Sequence, residues 1–125
     1  MFETGFDKNK NLLRVVFSGH VDGEEAKQCT EQMALLFSET KRGFRLLTDL
    51  TGLERMDGAC VPFIRKSMDL CNKYGVRTVI RVIPDPHKDI GFNILSLFHY
   101  RHEIQIVTCE TLAEAMKALA GEGGA

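Results

Sequence analysis

Runs of strand type and runs of helix type alternate along this chain, and this alternation constrains the fold more than any other feature. The strand-type runs are rich in apolar and β-branched residues and cover residues 12–21, 44–50, 76–83 and 104–109. Apolar residues with helical spacing occupy the intervening and final segments, at residues 22–40, 57–74, 89–98 and 111–119. Alternating strands and helices form parallel sheets with right-handed crossovers. The pattern therefore predicts an α/β domain with a mostly parallel central sheet and about four helices.

The amino-terminal segment predicts one additional, antiparallel strand. Residues 1–7 form a short strand-like run, and the polar turn residues 7–11 separate it from the run at 12–21. This arrangement is typical of a β-hairpin, in which Gly19 is expected to mark a bulge. We expect residues 1–120 to form a single domain and the small, glycine-rich residues 121–125 to form a flexible tail.

Capping residues sharpen the helix boundaries. Asp22 is suited to begin the first helix, and Gly75 is suited to end the second. Thr111 and Glu114 have the spacing of a capping box at the start of the last helix. The apolar residues of that helix that are expected to face the core are Leu112, Ala115, Met116 and Leu119.

Composition and charge exclude several functional classes. The 125 residues are 44% hydrophobic and 26% charged, with a net charge of −1, so no overall field attracts nucleic acid or an anionic membrane. No apolar run is long enough to insert into a membrane, and the first residues lack the pattern of a signal peptide, which favours a cytoplasmic protein. The cysteines show no zinc or disulfide spacing, and they are Cys29, Cys60, Cys71 and Cys109. No cofactor is predicted.

The most distinctive stretch is residues 49–59, with the sequence Asp-Leu-Thr-Gly-Leu-Glu-Arg-Met-Asp-Gly-Ala. It follows an apolar strand that is expected to end near Leu50, and it precedes a helix. We therefore expect it to be a polar loop at a helix N-terminus, where backbone N–H groups and the helix dipole favour negative charge.

This stretch resembles the loop of STAS domains, the family of sulfate transporters and anti-sigma-factor antagonists. In that family an Asp-Leu-Ser start is followed by an apolar residue, an Asp and a phosphorylatable Ser. Met56 and Asp57 match the apolar residue and the Asp, whereas Gly58 stands at the position of the Ser. The order of elements over about residues 2–120 is also similar to that of the STAS fold.

The resemblance implies a STAS-like fold and a non-enzymatic, regulatory module. It would bind a protein partner, either an anti-sigma factor or another signalling protein, through the loop and the adjacent helix. The residues that the resemblance places in this partner-binding site are Asp49, Thr51, Met56, Asp57, Gly58, Ala59 and Cys60.

The missing hydroxyl changes how such a module is regulated. In the family, a partner kinase that is itself an anti-sigma factor phosphorylates the Ser, and the added charge blocks binding. Gly58 has no hydroxyl, and neither Ala59 nor Cys60 restores one. Binding is therefore expected to be constitutive or to be controlled elsewhere.

Several residues of this stretch have an alternative structural interpretation. Thr51 offers a hydroxyl for modification, or it bonds to nearby backbone in a turn. Asp57 contacts a partner, or it caps the following helix. Pro62 favours a helix that begins at 60–62 and leaves 56–59 as loop. Catalysis by Cys60 or Asp57 is a further alternative, although no complete catalytic set accompanies either residue.

A second apolar feature lies at residues 89–98, which have more large apolar residues than one helix face can bury. Phe92 and Leu95 are therefore candidates for an exposed interface, which suggests a homodimer. The alternative is that this segment lines a pocket for a small apolar molecule or lipid, which would make the protein a carrier. His99 and His102 are three residues apart but lack a third ligand with recognisable spacing, so no metal site is predicted.

Overall fold

In a computed structural model, which describes residues 1–83 and 104–123, a single sheet has the strand order β1-β2-β3-β4-β5. Its strands are β1 (Phe2–Asp7), β2 (Leu12–Val21), β3 (Arg45–Met56), β4 (Thr78–Val82) and β5 (Gln105–Cys109). β1 pairs with β2 antiparallel, and the other neighbouring strands pair parallel. The predicted mixed, mostly parallel sheet with an amino-terminal hairpin is therefore confirmed.

Three α-helices lie within the described residues. They are α1 (Gly23–Leu36), α2 (Val61–Tyr74) and α3 (Leu112–Gly123), and short 3₁₀ turns occupy Phe37–Glu39 and Gly58–Cys60. The helix predicted at 89–98, with the candidate interface residues Phe92 and Leu95, lies outside the described residues, as do His99 and His102. α3 continues through the first residues of the expected tail and ends at Gly123.

The helices cover both faces of the sheet, as is usual where strands pair parallel. α1 and α2 pack against one face, where alternate residues of β2 such as Leu13, Val15 and Phe17 are buried. α3 packs against the other face, where Leu47 and Ile80 are buried. The core is thus two apolar layers separated by the sheet.

The residues predicted to cap the helices are confirmed. The Asp22 carboxylate accepts a hydrogen bond from Glu25 N at 2.8 Å, and Gly75 ends α2 with a φ of +85°. Thr111 Oγ1 accepts a hydrogen bond from Glu114 N at 3.2 Å.

The inward face of α3 differs from the prediction. Ala115 and Leu119 are buried as expected, but Leu112 and Met116 are 39% and 50% exposed. Among the described residues, α3 is the helix that packs on this face, and the stripe that it buries contains Ala115 and Leu119 but not these two side chains.

The prediction that residues 49–59 form a polar loop is wrong, because β3 continues to Met56. Val16 and Ser18 of β2 pair with Asp49 and Gly52 of β3, so β3 carries one extra residue there. A second register shift follows at Gly19, where a bulge was expected. Each bulge inserts a residue and bends the strand without ending it.

Candidate functional site

The site is built where β2 and β3 end and where α1 and α2 begin. After Met56 the chain forms a short turn, residues 57–60, which we call the site turn, and α2 then begins at Val61. Asp57 N donates a hydrogen bond to Val21 O at 3.0 Å, which ties the site turn to the end of β2. The prediction that Pro62 lies in the first turn of a helix beginning at 60–62 is confirmed.

The site turn lies directly against the first residue of α1. A Cβ atom on Gly23 would be 2.9 Å from the Cβ of Ala59, closer than side chains pack. Glycine at position 23 therefore permits this close approach. On the other side of Ala59, the Cys60 Sγ lies 3.5 Å from Val21 O and is fully buried. The backbone of the site turn is consequently held on two sides.

The expected partner-binding residues of this segment separate into buried and exposed groups. Met56 is 4% exposed and Cys60 is fully buried, so neither side chain is available to a docked surface. Gly58 and Ala59 are exposed, and Asp57 is partly exposed. Met56 and Cys60 thus anchor the site turn from below, and Asp57, Gly58 and Ala59 present it to solvent.

Asp57 does not cap the helix, in contrast to the structural interpretation of the sequence. Its side chain makes no capping hydrogen bond, because a 3₁₀ turn separates it from α2. Instead, its Oδ1 atom lies 2.6 Å from His20 Nε2 and 3.8 Å from Arg55 Nε. The His20 and Asp57 side chains are 55% and 32% exposed. The three residues form a charged cluster beside the exposed Gly58.

Sequence reasoning did not place His20 at this site, because this residue has no motif of its own. One signal was available, because both junctions have the pattern apolar-Asp-Gly: Val21-Asp22-Gly23 ends β2, and Met56-Asp57-Gly58 ends β3. Neighbouring parallel strands end at the same edge of a sheet, so this repetition places His20 close to Asp57.

Asp49 and Thr51 form a separate local structure within β3. The Asp49 carboxylate is largely buried and accepts hydrogen bonds from Thr51 N, at 2.9 Å, and from the Thr51 hydroxyl. The first bulge brings these two residues together. The Thr51 hydroxyl thus bonds to a carboxylate and not to backbone, which corrects the sequence interpretation. Among the described residues, no hydrogen bond or ion pair joins either residue to the site turn.

The Cys60 thiol, one of the two groups considered for catalysis, lies in a buried environment. Burial, followed by the charge of Asp57, raises the pKa of the Cys60 thiol to about 11, so the thiol stays protonated at neutral pH. Within residues 1–83 and 104–123, no group of three or more His, Cys, Asp or Glu side chains is placed to hold a metal ion.

A mixed sheet that begins with a hairpin, with helices on both faces and an exposed turn in front of α2, defines a STAS-like α/β domain. Comparison with solved structures supports this class. The fold is similar to that of the anti-sigma factor antagonist SpoIIAA in its unphosphorylated form, with a TM-score of 0.67, 15% sequence identity and coverage of 97% of this chain and 99% of that one. The expected STAS-like fold is confirmed.

Two further solved structures agree. An uncharacterised protein of the DUF3478 family from Shewanella loihica, described as having a SpoIIAA-like fold, matches with a TM-score of 0.64 and 15% identity, over 94% of this chain and 93% of that one. An anti-sigma factor antagonist from Mycobacterium paratuberculosis matches with a TM-score of 0.58 and 15% identity, over 96% and 95%. The amino-acid sequence matches no protein-family model and no curated relative. In the described part of the chain, no helix has the length and apolar character needed to cross a membrane.

Proposed function

We propose that this chain is a non-enzymatic regulatory module that binds a signalling protein, such as an anti-sigma factor, through the site turn. The observation that carries the proposal is the exposed Gly58-Ala59 step on a firmly held backbone, in a fold that the chain shares with anti-sigma factor antagonists. Two of the structural neighbours are anti-sigma factor antagonists, which supports a binding function for this chain.

The packing of the site turn suits a docking surface. Met56 and Cys60 are buried beneath it, and Gly23 allows α1 to contact Ala59 from the side. A surface that is already ordered loses little conformational entropy when a partner binds. The binding energy is then available for the contact itself.

The charged cluster beside Gly58 supplies the means for selectivity. His20, Arg55 and Asp57 are each at least partly exposed, and they combine a carboxylate, a guanidinium and an imidazole within a short distance. Charged groups at the edge of an interface mainly influence the association rate and the choice of partner. We propose that this cluster selects the partner.

Regulation of the module would not use a phosphate on the site turn, because residues 58–60 contain no hydroxyl. Binding would therefore be constitutive with respect to this position. Thr51 is not an equivalent replacement, since its hydroxyl bonds to Asp49 within β3.

Substitution of Gly58 tests the proposal. A Cβ atom at this position meets no other atom within 4 Å, which accommodates Gly58→Ala, and the position is exposed, which leaves room for the longer side chain of Gly58→Glu. A partner is first captured on the wild-type protein, identified and purified, and affinities are then measured by isothermal titration calorimetry. We expect Gly58→Glu to weaken binding at least about tenfold, which is about 1.4 kcal/mol, and Gly58→Ala to have little effect.

A matched control places the same charge far from the site turn. Leu35 of α1 is 75% exposed, so Leu35→Glu introduces a carboxylate elsewhere on the surface. This variant is expected to bind like the wild type. Equal affinities for Gly58→Glu and Leu35→Glu would remove the site turn from the docking surface.

The homodimer, the carrier function and the cytoplasmic location remain predictions. The first two depend on residues 90–98, including Phe92 and Leu95, which lie outside the described residues. Native mass spectrometry of freshly purified protein distinguishes them, because a dimer doubles the mass and a retained apolar ligand adds a small increment.

A further inference from the structure

Arg45, the first residue of β3, is a buried cation whose hydrogen bonds are to backbone carbonyl groups. It is 7% exposed, and its Nη1 and Nη2 atoms donate hydrogen bonds to Leu119 O at 3.1 Å and Lys10 O at 3.3 Å. Among the described residues, none of the ion pairs includes Arg45. Carbonyl groups satisfy part of its hydrogen-bonding capacity but do not neutralise its charge. Burying a charge is costly unless an opposite charge accompanies it.

Arg45 lines an open cleft of about 700 Å³ beside α3, a volume typical of small-molecule sites. A second cationic residue, Lys10, also lines the cleft, and much of the remaining wall is apolar, from Leu12, Met116, Leu119 and Ala120. An adjoining cleft of about 530 Å³ shares Lys10, Leu12 and Met116 and adds Arg14 and Asp7. The apolar walls thus lie beside three cationic side chains, those of Lys10, Arg14 and Arg45, and one carboxylate, that of Asp7.

This cleft and the site turn lie at opposite edges of the sheet. Leu12 and Arg45 begin β2 and β3, whereas Val21 and Met56 end the same two strands. A ligand in the cleft would therefore leave the proposed docking surface uncovered.

We propose that this cleft binds an amphiphilic anion, namely a single hydrocarbon chain that ends in a carboxylate, as in a fatty acid. The hydrocarbon chain of the ligand packs against Leu12, Met116 and Leu119, and its carboxylate lies near Lys10 and Arg45. A guanidinium has five N–H donors, so Arg45 keeps donors beyond its two carbonyl bonds. Its charge complements a carboxylate, and Met116, which is 50% exposed, offers apolar surface to the hydrocarbon.

Binding of decanoate, below its micellar concentration, tests the proposal. Titrations of the 125-residue chain, followed by calorimetry and by amide chemical shifts, compare decanoate with 1-decanol, which lacks the charge, and with acetate, which lacks the hydrocarbon chain. We expect saturable binding of decanoate, at least tenfold weaker binding of 1-decanol and no binding of acetate. The shifted amides should belong to the starts of β2 and β3 and to α3.

Two surface variants locate the site without disturbing the core. Met116→Glu places a carboxylate at the cleft and should weaken decanoate binding at least tenfold, and Lys10→Gln should weaken it by a smaller factor. Leu35→Glu is the matched control and should bind decanoate like the wild type.

The opposite results overturn the proposal. Absence of saturable decanoate binding would mean that Arg45 only holds the end of α3 against the hairpin turn. Equal affinity for decanoate and 1-decanol, or an unchanged affinity in Met116→Glu, would contradict the charged site. Any of these results would leave the Gly58 experiment unaffected.

Discussion

Replacement of Leu53 by alanine tests whether the second half of β3 belongs to the core. Leu53 has no exposed surface and lies in the cluster that joins the sheet to α1 and α2. Leucine-to-alanine substitutions in packed cores cost about 2–5 kcal/mol, because they remove apolar contacts and leave a cavity. The same change in an exposed polar loop costs less than about 0.5 kcal/mol. A buried strand and an exposed loop thus predict losses of free energy of unfolding that differ several-fold for this substitution.

The assay is urea denaturation followed by circular dichroism. We expect Leu53→Ala to lower the free energy of unfolding by about 3 kcal/mol, seen as a lower midpoint with an unchanged slope. For a domain of this size the melting temperature should fall by roughly 10 °C or more. Glu54→Ala, at the adjacent exposed position, is the control and should change stability by less than about 0.5 kcal/mol. A loss below about 1 kcal/mol for Leu53→Ala would refute the assignment of this segment to the core.

Two further predictions concern packing and pH. Gly23→Ala should destabilise the fold by about 1–3 kcal/mol in thermal denaturation, because its Cβ would overlap that of Ala59; a neutral result would contradict the close approach. Burial raises the pKa of Cys29 and Cys71 from 9.0 to about 12, so these thiols ionise more easily in the unfolded chain than in the folded protein. Their contribution to the free energy of unfolding is therefore fully present below about pH 9 and decreases as the pH rises towards 12. Urea midpoints at pH 7 and pH 10.5 measure this decrease, and alanine at either cysteine should reduce it.

Much of the fold could be predicted because its signals are local. The cap residues Asp22, Gly75 and Thr111 form hydrogen bonds with backbone groups only a few residues away. These helix ends can therefore be predicted from a few neighbouring residues of the sequence. The alternating pattern of β2 likewise places Val15 and Phe17 on one face without reference to any partner strand.

The end of β3 could not be predicted because its pattern depends on its neighbour. Leu50, Leu53 and Met56 are all buried, yet they are spaced three residues apart, whereas a regular strand buries every second residue. The two register shifts against β2 supply the extra residues. A bulge depends on how two strands pair, which the sequence of one strand does not show. The sequence of β3 by itself therefore lacks the alternating pattern of a strand and resembles a loop.

The charged cluster was not predicted, although the two apolar-Asp-Gly junctions indicated that β2 and β3 end side by side. The reason is that the structure after each Asp differs while the local sequence is the same. Asp22 is followed at once by α1, which brings Glu25 N within 2.8 Å of its carboxylate. Asp57 is followed by a 3₁₀ turn, in which Cys60 N bonds to the backbone oxygen of Asp57 at 2.9 Å. The same apolar-Asp-Gly sequence therefore begins an α-helix at Asp22 and a 3₁₀ turn at Asp57.

In the proposed function, that difference determines which groups the site turn presents to a partner. The Asp22 carboxylate is bound to the first turn of α1, and breaking this bond would weaken the helix by about 1 kcal/mol. The Asp57 carboxylate has no such bond to α2, and its contacts are to the side chains of His20 and Arg55. Exchanging these contacts for those of a docked protein leaves the helix intact. In the proposed function, the Asp57 carboxylate could therefore turn to a docked partner without breaking a cap of α2.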